Sequence, residues 1–254
     1  LRRAEKDDKV KGVLVRLPEG GVEPGLADEI RLAIKHFRDS GKPIIAHSQG
    51  LYPSGVITAT YMMGAATGDL WMQPGASFQV TGLANEDIFF KRAFDRFGVK
   101  ADYEQRYEYK NAVNGYLYDD YTPAHPEAEL SWLNSVYATD VAAAAADRKL
   151  DPAVLKSTLE AGPYLAEDAL GLHLIDHLGQ VREAQQALLK QAGADSEMVD
   201  FEDYAHGRAP RERGLGPAVA IIEAEGDIVD GKDQGGTPFR GGSSISADDL
   251  SDPF

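Results

Sequence analysis

Cysteine is absent from the 254-residue chain. That removes thiolate catalysis, Cys-containing zinc sites and disulfides together. The same absence leaves the compartment open, because a cysteine-free protein is at home in reducing or oxidising surroundings. Basic residues are also scarce: 26 Lys and Arg stand against 41 Asp and Glu, a formal net charge of −15. Nucleic-acid binding over a broad phosphate-facing surface needs a basic face and is disfavoured. No apolar run approaches the ~18 residues of a membrane-spanning helix. The opening LRRAEKDDKVKG has no apolar stretch after its basic residues, so it is no signal peptide. It also lacks an initiator methionine. We read residue 1 as an internal position of a longer protein, so a missing anchor here carries no message about the whole.

Two ligand-binding patterns are missing as well. GKDQGG and RGGSS lack the spacing of a phosphate loop. Asp227, Asp230 and Asp233 in GDIVDGKDQGG depart from calcium-loop spacing and have no closing glutamate. A solvated acidic loop is the better reading, and no cofactor or metal is expected.

What is present is a chain with 43% hydrophobic residues, enough for one large domain or two modest ones. VKGVLVRL (10–17) reads as a buried strand, and EPGLADEIRLAIKHFRDSG (23–41) as an amphipathic helix stopped by Gly41. KPIIAHS (42–48) is a strand. SGVITATYMMGAA (54–66) is a helix of small and apolar residues, buried all round, and DLWMQ (69–73) is a strand again. NEDIFFKRAFDRFG (85–98) reads as a helix with Ile88, Phe89, Ala93 and Phe97 on one face, and VKADYEQRY (99–107) alternates like a strand. This series predicts an α/β layer architecture with a mainly parallel sheet, whose chemistry lies at the carboxyl ends of strands.

The later chain has a different texture. A long helix over 123–150 carries the stripe Leu130, Leu133, Val136, Tyr137 and Val141. Two short helical stretches follow, and then a helix over 179–193. APRERGLGP (209–217) reads as a linker. AVAIIEAEGDIVDG (218–231) reads as a new strand, followed by a Gly-rich loop and a helix start at SISADDL. The last forty residues cannot bury a core alone, and we take them as the opening of a second, incomplete domain.

Several residue groups carry possible chemistry. His173 and His177 are four apart in HLIDH, but no third ligand of matched spacing appears, and Leu174 and Ile175 between them look like core anchors. PEGG (18–21), directly after the first strand, can aim backbone N–H groups at an anion or a peptide carbonyl, and is equally a plain strand-to-helix turn. Ser54 at the start of the small-residue helix is far more often an N-cap than a nucleophile. Lys110 is a single cation among Tyr107, Tyr109, Tyr116, Tyr118 and Tyr121 in RYEYKNAVNGYLYDDYTP. On that stretch alone it is a surface lysine laying its stem over the rings, or a lysine kept dry enough to act as a base.

Taken in order, RDSGKPIIA, DLWMQPGASFQVTGL, FDRFGVKADYEQRYEYKNAV and GPYLAEDALGLHLIDHLG resemble the long form of the signal peptide peptidase A (SppA, protease IV) family of membrane-bound bacterial serine proteases. The resemblance implies a ClpP/crotonase-like repeat and a Ser–Lys dyad that degrades signal-peptide remnants and other apolar peptides. In the long form the first repeat supplies the lysine and the second the serine. By this resemblance residues 1–208 form the first repeat without its first strand. Residues 209–217 are then the linker, and 218–254 open the second repeat, ending before its serine. Lys110, in a Tyr-Lys-x-Ala-Val context, is the implied catalytic lysine. A homotetramer on the periplasmic side of the bacterial inner membrane is implied too, and this chain alone would be inactive. Two residues depart from the family pattern. Ser54-Gly55 is followed by Val56 instead of a second glycine, which argues against Ser54 as nucleophile. Asn111 stands where serine often follows the lysine.

The resemblance supplies a reason for the aromatic belt. A lysine in water has a pKa of about 10.4, and burial beside apolar groups can lower it by up to ~3–5 units. The rings are the expected source of that drying, with Glu108, Asp119 and Asp120 facing solvent. Three other readings remain open: a self-sufficient short-type protease using Ser54, a crotonase-like acyl-CoA enzyme, and a non-catalytic scaffold repeat.

Overall fold

In the computed structural model residues 1–53, 56–193, 195–206, 227–229 and 244–246 are described. They fall into two compact units, Leu1–Val199 and Asp200–Phe254. The first unit is built on a four-stranded, wholly parallel sheet. Its strands are β1 (Val13–Arg16), β2 (Ile44–Ser48), β3 (Leu70–Met72) and a short strand at His177–Leu178, paired in that order. Val13 lies opposite Ile44, Ala46 opposite Leu70, and Trp71 opposite His177. The expected α/β architecture with a mainly parallel sheet and flanking helices is met.

Helices cover both faces. The helix Val181–Ala192 presents Ala184, Ala187 and Leu188 to Ile45, Leu14 and Trp71. Gln180 and Glu183 form a capping box at its start. Side chains alternate along a strand, so Ile44, Ala46 and Ser48 face away from this helix, on the side where α2 (Pro24–Asp39) and α3 (Ile57–Ala65) pack, with the short α1 (Arg2–Lys6) against α2. Every residue of β2 is buried, as befits a central strand. Every residue of α3 is buried too, as the absence of a polar face in its sequence predicts. A Cβ at Gly64 would stand 2.6 Å from Leu17 Cδ1, so any larger residue there displaces the Leu17 side chain. The tip of buried Tyr61 is satisfied by the Leu174 carbonyl at 3.0 Å.

The 25-residue helix α4 (Ala124–Arg148) packs against α3 through its C-terminal half, where Tyr137, Val141, Ala144 and Ala145 are buried. Asp147 on that half is gripped by Arg31 at 2.9 Å and Lys35 at 2.6 Å. Past its first turn the N-terminal half lies off the core: Leu130 is 56% and Trp132 54% exposed. The predicted stripe is therefore half core and half surface. Among the described residues no helix is long and apolar enough to cross a membrane.

Three expectations fail. The helix over 85–98 shortens to Lys91–Phe97, and its expected face is exposed, with Ile88 at 67% and Phe97 at 78%. Residues 99–107 form no strand. Their alternation is real, but they pair with no strand among the described residues. In the second unit SISADDL does not open as a helix: Ser244–Ser246 is a strand, parallel to Asp227–Val229. The linker expected at 209–217 lies outside the described residues.

Candidate active site

Residues 84–122 form an arm that leaves the sheet after β3 and returns at the start of α4. It holds itself together with rings. Tyr116 stacks against Phe90, Phe94 and Tyr103 at centroid distances of 5.9, 6.1 and 5.4 Å. Phe90 N–H donates to the Gly115 carbonyl at 2.6 Å. Gly115 has to be glycine, since a Cβ would lie 2.7 Å from the Ile88 carbonyl oxygen. The arm is fastened to α4 by Asn85, whose amide donates to Glu129 at 2.9 Å, and by Tyr109, whose hydroxyl donates to Glu127 at 3.0 Å. Tyr121 donates to Asp87, also at 3.0 Å. These bonds to carboxylates push both phenols above their ordinary pKa.

Lys110 sits at the N-terminus of a single 3-10 turn, Asn111–Val113. Its carbonyl accepts from Gln105 Nε2 at 2.7 Å. Among the described residues its ammonium has no hydrogen-bond or ion-pair partner, and the residue is exposed. Here the structure corrects the sequence reading twice. Lys110 does not follow a strand, because 99–107 is irregular. The tyrosines do not bury it either, since Tyr107, Tyr109, Tyr118 and Tyr121 are themselves exposed. Glu108, Asp119 and Asp120 do face solvent as expected, and Asp119 lies 3.4 Å from the Arg92 guanidinium.

Other sequence candidates resolve simply. His173 and His177 do not share a helical face: His173 has a left-handed backbone (φ 57°) and His177 lies on the fourth strand of the sheet. Leu174 and Ile175 between them are buried anchors, as read. The PEGG loop is pinned by Thr60, whose hydroxyl donates to the Gly20 carbonyl at 3.1 Å and accepts from Val22 N–H at 2.9 Å. Ser54 and Gly55 lie outside the described residues.

Sequence reading missed Asp87, His125 and Glu129, whose ligand-type atoms lie within 4.8 Å of one another. His125 Nε2 is 3.7 Å from each carboxylate. Gln105 Nε2 donates to Asn114 Oδ1 at 3.0 Å, which turns Asn114 Nδ2 toward Asn111 Oδ1 and Thr122 Oγ1, each at 3.3 Å, with His125 Nδ1 at 3.5 Å. His125 and Glu129 are four apart on α4, a spacing the sequence does show, whereas Asp87 comes from a loop that no spacing ties to them.

Two cavities stand out among the described residues. One of about 200 Å³ adjoins the lysine turn and is lined by Asn111, Ala112, Gly115 and His125 among others. The larger, about 380 Å³, is lined by Lys42, Pro43, Ile44, Thr67 and Asp69. Those residues precede β2 and β3, so it lies at the amino end of the sheet, opposite the end where parallel sheets place their chemistry.

The pattern of peptidase family S49 matches residues 36–195, a span that includes the arm and Lys110. Protease 4 of Salmonella typhi is 26% identical over 267 aligned residues, covering 99% of this chain and 41% of that protein. Protease 4 of Haemophilus influenzae is 25% identical, over 91% of this chain and 39% of its own length. The chloroplastic serine protease SPPA of Arabidopsis thaliana is 25% identical, over 98% and 36%. The chain thus spans about two fifths of the length of these curated relatives. With more than half of its residues inside the family pattern, this chain belongs to peptidase family S49, the family of SppA-type serine proteases.

Proposed function

We propose that Lys110 is the general base of a Ser–Lys dyad in a serine peptidase that degrades signal-peptide remnants and other apolar peptides. The nucleophilic serine comes from a second repeat of the same protein. The observation that carries this reading is the Tyr-Lys-x-Ala-Val context of Lys110 inside the family-matched span, on a turn where the lysine is exposed. The greater length of the relatives supports a second repeat.

In the reaction, neutral Lys110 accepts the proton of the serine hydroxyl as its oxygen bonds to the scissile carbonyl carbon. The resulting ammonium returns that proton to the departing amine as the C–N bond breaks. Water then repeats the cycle on the acyl-enzyme. A base must be neutral to take a proton, and drying favours the neutral amine, so this chemistry needs a second surface over the turn. The second repeat, and neighbouring copies in a homotetramer, would supply it by closing over the rings of the arm. Restricted access also protects folded neighbours at the periplasmic face of the inner membrane, where we place the enzyme. This chain on its own is then inactive.

The test is Lys110→Ala in the full-length protein. Activity falls by roughly 10²–10⁴-fold, the range for a positioned acid–base group, with folding intact. Wild-type turnover by a folded Lys110→Ala enzyme would overturn the assignment.

A further inference from the structure

The turn that bears Lys110 is held by a side chain more than by backbone. Lys110 N–H reaches the Tyr107 carbonyl only at 3.4 Å, a long bond. Its carbonyl is held by Gln105 Nε2 at 2.7 Å, and the same nitrogen donates to Asn114 Oδ1 at 3.0 Å. An amide nitrogen has two hydrogens, so both are in use, and the orientation of Gln105 is determined. Asn114 is fully buried. Its Nδ2 faces Thr122 Oγ1 at 3.3 Å and His125 Nδ1 at 3.5 Å. His125 is buried in the first turn of α4, the helix whose other half is packed into the core.

We propose that Gln105 and Asn114 are positioning residues for Lys110. The inference rests on the reading of Lys110 as the base. A chain of side-chain amides ties the Lys110 backbone to the start of α4, so that a lysine on an exposed arm leaves the protein from a defined point. A lysine side chain has four rotatable bonds beyond Cα. If its carbonyl were free to swing, the ammonium would spend most of its time out of reach of a serine hydroxyl. Misplacement by 1 Å can cost a catalytic group about 10²-fold. Neither amide touches substrate or serine; both act through the lysine backbone.

The test compares variants of the full-length protein by steady-state kinetics and thermal melting. Gln105→Leu keeps the shape and removes both donors. It lowers kcat by about ten- to a hundredfold, with KM within about twofold and the melting temperature nearly unchanged. Asn114→Leu, which removes the acceptor of Gln105 Nε2, lowers kcat as Gln105→Leu does. A Gln105→Leu enzyme with wild-type kcat, beside an inactive Lys110→Ala enzyme, overturns the positioning role and leaves the base standing. A loss of kcat in Gln105→Leu that only follows a loss of folded protein overturns it equally. Full activity of Lys110→Ala defeats the base reading itself.

Discussion

Asp140 offers a quantitative test of the helix packing that supports the arm. It lies in the buried half of α4, is 3% exposed, and its Oδ2 has no hydrogen-bond partner among the described residues. Burial, and after it the charge of Asp28, push its carboxyl from an ordinary 3.8 up to about 6. A folded-state pKa above the unfolded value means that the folded protein holds the proton more tightly. The stability this gives is fully present below the unfolded pKa and is lost as pH rises through about 6. Two pH units at about 1.36 kcal/mol each amount to about 3 kcal/mol between pH 4 and pH 7. Asp140→Asn cannot ionise, so it lacks that slope. The stability of Asp140→Asn minus that of the native chain therefore climbs by about 3 kcal/mol over the interval. The assay is urea unfolding of both proteins at pH 4, 5, 6 and 7.5, followed by far-UV circular dichroism, with the slope m checked for constancy. Asp28→Asn serves as a second arm: it removes the lesser cause, so the native slope shrinks but persists. A stability difference that stays flat across pH would refute the reasoning.

Two further predictions concern the frame around the site. Asp147, seven residues along the same helix, is buried but paired with Arg31 and Lys35. Asp147→Ala removes the buried carboxylate that Arg31 and Lys35 share; Arg31 keeps Asp28 and Lys35 reaches water, so the cost in urea unfolding is about 1–3 kcal/mol, and a loss under about 0.5 kcal/mol would mean that water replaces the carboxylate freely. Gly115→Ala drives a Cβ into the Ile88 carbonyl and opens the Phe90–Gly115 backbone bond. Limited proteolysis within 84–122 should then accelerate several-fold while the sheet unit keeps its unfolding midpoint, and an unchanged cleavage rate would show that the arm accommodates the methyl.

The parts legible in the sequence and the parts that were not differ in one physical respect. The strands at 13–16, 44–48 and 70–72 and the helices at 24–39, 57–65 and 181–192 each bury against another element of the same chain, so a periodic pattern was enough to place them. The stripe of 85–98 and the alternation of 99–107 are equally regular on paper. Periodicity says which side chains share a face; it does not say that anything covers that face. With no strand among the described residues to pair with 99–107, its backbone stays irregular. The parallel pairing of 244–246 was hidden for a related reason: three residues are too few to show a period. Lys110 could be singled out because one cation among five tyrosines is unusual at any spacing. Gln105 and Asn114 could not, because a loop glutamine five residues before a lysine belongs to no repeat, and a buried asparagine looks like any turn residue. Under the proposed mechanism the misread segment and the base coincide for one reason. A lysine that must be dried by a second surface has to sit on a segment that its own domain leaves uncovered. The exposure of Phe97, Ile88 and Tyr107 and the exposure of Lys110, unpartnered among the described residues, are then two sides of the same arrangement.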